Sequence, residues 1–163
     1  MAADADPARD VVRHTLATLA YRASKAVRGA PVSYGNFRVG PTSRTPAEIL
    51  AHMSDLMEWA LTMARGKAVW RNVPPQAWAA DVDRLFSGIT TLDQYLAGDA
   101  AVERATLLQL FQGPIADALT HTGQLALLRR LTDAPVRGED YPRAAIAVGQ
   151  TGLEQPKPRF EFD

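Results

Sequence analysis

The sequence contains no cysteine. Disulfides, protein thiolate nucleophiles, iron–sulfur clusters and thiolate-held zinc are therefore excluded, and a metal site would have to use imidazole, carboxylate, backbone oxygen or water. Neither sign of charge is in excess: 18 Lys and Arg stand against 18 Asp and Glu, for a formal net charge of zero. That balance gives no electrostatic case for nucleic acid or an anionic membrane, which basic surfaces recognise. Apolar runs approaching the ~18 residues of a membrane span are missing. The opening MAADADPARD is acidic and lacks the apolar stretch of a signal peptide. A soluble, cytoplasmic protein is expected. There is no Gly-rich phosphate loop, no nucleophile elbow around any serine, no internal repeat and no useful length of strand-like alternation. Histidine is scarce too, with His14, His52 and His121 the full set.

What is present is helical periodicity in a chain of 163 residues, one domain by length. A chain of this size buries about 69% of the surface its unfolded form exposes, enough for a core without staples. The first helix is expected from Pro7, behind the Asp6 N-cap, to Arg28, where Gly29 stops it. The connector APVSYGNFRVGPTSR is a long loop, a place where function often sits. Thr45-Pro46-Ala47-Glu48 spells a capping box with Pro at the first helical position, and opens a second helix running to Arg65. Its two adjoining seams, Ile49-His52-Leu56-Trp59-Met63 and Leu50-Met53-Met57-Ala60-Ala64, predict a largely buried helix. Trp78, Val82, Leu85, Ile89, Leu92 and Leu96 mark a third helix over about 76–97. The fourth is expected over about 101–131, kinked at Pro114, with an inward seam of Leu110, Pro114, Asp117, His121, Gln124, Leu128 and Leu131. From about Ala134 the chain turns rich in Pro and Gly and is expected to be irregular, with Phe160 and Phe162 available to pin it. The expected fold is all-α: a four-helix bundle over 1–133 and a tail over 134–163 packed on it.

Three polar residues interrupt these apolar seams. Asp117 and His121 are four apart and stack on one helix face, and His52 lies on another helix. Two imidazoles and a carboxylate with open positions suit Zn, Ni or Fe(II) in a catalytic rather than a closed structural arrangement. The same residues also fit a metal-free hydrogen-bond network, since buried polar groups require partners, or a scaffold whose polar groups fix helix register. Gln124, one turn beyond His121, and Asp55, three residues after His52, are candidates for orienting the ligands from behind. His14 lies off the apolar seam and is read as exposed, the methionines of helix two as core filler, and Arg129 and Arg130 as complements of their helix dipole.

Arg44 to Ala60, RTPAEILAHMSDLMEWA, resembles helix two of the DinB/YfiT-like metalloenzyme superfamily, and Gly113 to Leu131, GPIADALTHTGQLALLRRL, resembles its fourth helix. The resemblance extends over nearly the whole chain. The usual fourth-helix pattern is His-x-x-x-His-x-Gly-Gln; Thr120-His121-Thr122-Gly123-Gln124 matches its second half, while the first His falls at Asp117. The resemblance implies an up-down-down-up bundle whose second and third helices run parallel, joined by an extended crossover over 66–75. It implies a divalent metal on His52, Asp117 and His121, and often a homodimer. It further implies thiol-dependent S-transferase or isomerase chemistry, in which the metal lowers the pKa of a low-molecular-weight thiol that then attacks an electrophilic substrate. A metal-dependent hydrolase activating water, and a non-catalytic metal or small-ligand binder of a stress response, are the alternatives.

Overall fold

The computed structural model describes residues 6–162. The acidic opening, residues 1–5, lies outside them. Among these residues the fold is all-α apart from one small strand pair. Helix α1 spans Pro7–Val27, α2 Pro46–Ala64, α3 Trp78–Ala97, α4 Arg104–Leu110 and α5 Ala116–Leu131, and a five-residue π turn, Phe111–Ile115, joins α4 to α5 without a break. No described helix is long and apolar enough to cross a membrane.

The helix ends follow from local chemistry. Asp6 accepts from the Ala8 amide at 3.0 Å, and Pro7 opens α1. Thr45 and Glu48 form the reciprocal capping box: the Glu48 amide donates to Thr45 Oγ1 at 3.2 Å, and the Thr45 amide to Glu48 Oε2 at 2.7 Å. Gly29 and Gly66, just beyond α1 and α2, take positive φ values of 62° and 79°, which a side chain would resist.

α2 packs on α3 and α5, and α1 on α3, α4 and α5. Between α2 and α3, Ser54 Oγ reaches the Asp81 carbonyl, Met57 lies against Gly88, and Arg84 pairs with Asp55 and Glu58. A Cβ at Gly88 would sit 2.9 Å from the Met57 Cβ, so glycine allows the two helices to approach closely. Gly88→Ala gains about 1 kcal/mol of helix propensity but forces an overpacked contact of about 1–3 kcal/mol. The expected outcome in denaturant titration is net destabilisation, opposite to the usual effect of Gly→Ala in a helix.

The π turn changes the phase of the last helix. The expected seam continued from Pro114 to Asp117, His121, Gln124 and Leu128. The buried residues are instead Leu107, Leu110, Pro114, Ile115, Ala118, Thr122, Leu125 and Arg129, with Leu128 beside them. Gln124 and Leu131 are exposed, and Asp117 and His121 are half-buried. The cause is local. Pro114 has no amide hydrogen, and its ring collides with the carbonyl four residues back. The Ala116 amide reaches Phe111 O, a five-residue step that takes in one extra residue. Everything downstream is one residue out of the expected register, so the stripe bearing Asp117 and His121 stands at the rim of the core.

The tail is less irregular than its composition suggests. Gly138–Glu139 and Glu161–Phe162 form an antiparallel pair with Gly138 opposite Phe162. Phe162 lies over Gly138, where any Cβ would meet its ring at 2.6 Å, and the Arg143 guanidinium stacks on Phe160 at 3.7 Å. The stronger tie is polar. Buried Glu139 accepts from Tyr21 Oη at 2.9 Å and from Lys25 Nζ at 2.9 Å, and Lys25 also reaches Glu161 at 2.8 Å.

Arg129 does more than complement its own helix dipole. Buried at the end of α5, it donates to the carbonyls of Ala26 and Arg28, at 3.1 and 3.0 Å, and to those of Gly29 and Ala134. It thus caps the C-terminus of α1 and ties the start of the tail. Arg129→Ala leaves several carbonyls short of a donor in a place water reaches poorly. A loss of about 2 kcal/mol is expected in chemical denaturation, with little recovered by Arg129→Lys, whose ammonium lacks the planar fork.

Candidate metal centre

α2 and α5 bring His52, Asp117 and His121 together. One ligand atom from each lies within 4.8 Å of the others. His52 Nε2 is 3.3 Å from Asp117 Oδ2, and His121 Nε2 is 3.5 Å from Asp117 Oδ1. Donors bound to one tetrahedral ion at bond lengths of ~2.0–2.2 Å stand about 3.4 Å apart. Each imidazole nitrogen stands at about that spacing from one Asp117 oxygen, His52 from Oδ2 and His121 from Oδ1, and one atom from each residue falls within 4.8 Å of the others, so a small closing movement would bring all three onto one ion. The imidazole planes are perpendicular, with centroids 5.0 Å apart, so the two rings can direct their nitrogens at one point without stacking. The donor set therefore fits a small divalent cation.

Two features prepare the nitrogens. His121 Nδ1 is 2.7 Å from Gln124 Oε1. An amide oxygen can only accept, so the tautomer that satisfies this contact carries its proton on Nδ1 and leaves the Nε2 lone pair facing Asp117. Burial pushes the His52 imidazole below its ordinary pKa; the nearby His121 ring and Arg44 guanidinium add to the fall, and the bond to Asp117 opposes it. A ring with a lowered pKa is neutral at neutral pH, the form that ligates. Gln124→Ala, on an exposed position, is expected to weaken Zn²⁺ binding by about 10–100-fold with the fold unchanged, as read by competition with a chromophoric chelator.

Of the other residues singled out in the sequence, Asp55 is buried beside the site, on the lining of a cleft it shares with His52, with its carboxylate engaged elsewhere. Its oxygens take the Val73 amide at 3.1 Å and the Arg84 guanidinium. It holds the crossover segment and α3 against α2, so any effect on His52 acts through the position of α2. His14 is exposed on α1, away from the site. The methionines Met53 and Met57 are fully buried core.

Sequence reasoning missed two neighbours. Trp70, in the crossover between α2 and α3, sets its ring edge-on to His52 at 5.7 Å and to Trp59 at 5.7 Å. A tryptophan in the short inter-helix stretch KAVWRN was the available signal. The other is Arg44, just before the capping box. It lines two clefts that open on either side of the triad, each of about 340 Å³. One, floored by His52, holds Arg38, Asn72 and the Pro74-Pro75 turn. The other, reaching His121, has walls of Ile49, Leu127 and Leu128. Asp117 itself is accessible, with 46% of its side chain exposed. The triad is thus a set of ligands with open sides rather than a sealed polar core.

No family model, curated protein or solved structure matches the chain.

Proposed function

We propose that the chain is a DinB-like metal-dependent enzyme of the thiol-dependent S-transferase or isomerase type. The observation that carries this reading is the convergence of His52, Asp117 and His121, from two separate helices, within 4.8 Å and beside open clefts. The order of helix contacts supports the up-down-down-up bundle that the resemblance implies. Ser54 meets Asp81 and Met57 meets Gly88, so contacts advance together along α2 and α3. Between α2 and α5 they run oppositely, with His52 at Asp117 and Ile49 beside Gln124 and Leu128.

In this reading His52, Asp117 and His121 hold a divalent cation, with Zn, Ni and Fe(II) all compatible with the donors. When bound, the cation supplies Lewis acidity that lowers the pKa of a thiol brought to it. Gln124 keeps the His121 tautomer, and Trp70 walls the His52 side against water. The chain has no cysteine, so the sulfur nucleophile is a small-molecule thiol entering from the clefts. Asp117 keeps one negative charge at the centre, where a third imidazole would have left it more positive.

The test is elemental analysis of tag-free protein before and after loading with Zn²⁺ or Ni²⁺, followed by consumption of low-molecular-weight thiols with a chloronitrobenzene electrophile. Stoichiometric metal and metal-dependent turnover, lost in a folded His52→Ala variant, are expected. Failure to load any metal overturns the proposal, and metal without turnover reduces it to a binding protein.

A further inference from the structure

Arg44 is exposed and makes no hydrogen bond or ion pair among the described residues, although it stands where the two clefts meet. The other charges around it are spoken for. Arg38 pairs with Glu48 at 3.1 Å, and Asp55 is held by Arg84. Arg44 is therefore the uncompensated charge of the polar cleft. A divalent cation on Asp117 would leave one further positive charge next to it, so the site as a whole calls for a negative ligand. The neighbouring cleft differs in kind. Ile49, Leu127 and Leu128 wall it, and Leu127 is 56% exposed, an apolar side chain left open to water beside a cluster of ligating residues.

We infer that this site takes a small carboxylate with an apolar arm, its head on the Arg44 guanidinium and its arm along Ile49, Leu127 and Leu128. A carboxylate matches the single free guanidinium in charge and in its two-pronged geometry. The cleft of about 340 Å³ is of the size that small ligands occupy. His121 and Gln124 line this apolar cleft and His52 the polar one. A ligand with its head on Arg44 and its arm in the apolar cleft would therefore pass His121 and Gln124, along one flank of the triad. The inference rests on the metal-centre reading and names the class of substrate for that centre.

The test uses hexanoate, propionate and 1-hexanol, titrated calorimetrically into the full-length protein in metal-free and Zn²⁺-loaded forms, with Zn²⁺ stoichiometry measured separately for every variant. Hexanoate is expected to bind at least about tenfold more tightly than 1-hexanol, which lacks the charge, and about tenfold more tightly than propionate, which lacks the arm. Arg44→Gln removes the first advantage and keeps the second; Leu127→Asn does the reverse. Both positions are exposed, so neither substitution disturbs the core. Equal hexanoate affinity in wild type and Arg44→Gln overturns the head site, and equal affinity for hexanoate and propionate overturns the arm. If no form loads Zn²⁺, the metal-centre reading fails by itself, and the metal-free titrations still decide the roles of Arg44 and Leu127.

Discussion

Replacing His121 with alanine is expected to lower Zn²⁺ affinity by roughly a thousandfold, well beyond the ~10–100-fold that an outer partner such as Gln124 contributes. The imidazole is one of three protein donors, and its Nε2 is the atom that Gln124 orients toward Asp117. Its removal leaves a carboxylate and one imidazole, too few to hold the ion against water. The fold should survive, because His121 stands at the rim and does not belong to the apolar cluster that packs α5 on its neighbours. Thermal melting separates this outcome from the alternative that the triad only fixes helix register. A ligand present at ~1,000 times its Kd stabilises by about 4 kcal/mol. Wild type should melt higher with Zn²⁺ and return with chelator, while His121→Ala melts at the same temperature in both. A register device predicts the contrary: no metal dependence in wild type, and a stability kept or raised when His52, Asp117 and His121 are all made apolar.

The α2 start, the helix-ending glycines and the identity of the three candidate ligands were legible because each is a local signal. A capping box is spelled by four consecutive residues, and a histidine among leucines is conspicuous at any period. What the sequence did not convey is of another kind. Arg129 reads as a basic residue near a helix end, yet its partners Ala26, Arg28 and Gly29 are about a hundred residues earlier. Glu139 looks like part of a polar tail, and only the packing of the tail on α1 reveals that Tyr21 and Lys25 enclose it. The phase of α5 was misjudged for a sharper reason. Periodicity analysis assumes one residue every ~100° throughout a helix, and a single π turn breaks that assumption without altering composition. Pro114 was read as a bend, when its effect on the site is a change of register.

That change of register yields the second large effect. If the π turn is one surplus residue absorbed by the helix, removing an exposed member of it should cost little. Deleting Gln112, with Pro114→Ala so that the ring no longer collides with the preceding turn, leaves a chain that can run as plain α-helix from Arg104 to Leu131. In that helix the inward positions fall on Leu107, Leu110, Ile115, Ala118, Thr122, Leu125 and Arg129, the residues buried now. Asp117 and His121 therefore keep their place opposite His52, and Zn²⁺ affinity is expected to stay within about threefold of wild type, the loss of Pro114 from the core costing roughly 1 kcal/mol. Deleting Thr120, equally exposed but within the regular part of α5, has no surplus to consume. It rotates His121 by about 100° relative to Asp117 and turns Leu125 and Arg129 out of the core. Zn²⁺ binding should be lost there, together with several kcal/mol of stability from Leu125 and the Arg129 cap, each worth about 2 kcal/mol or more. Circular dichroism melting and chelator competition on the two variants read both quantities. Equal damage from the two deletions would mean that the π turn is not an insertion, and that the rim position of the ligand pair has another cause.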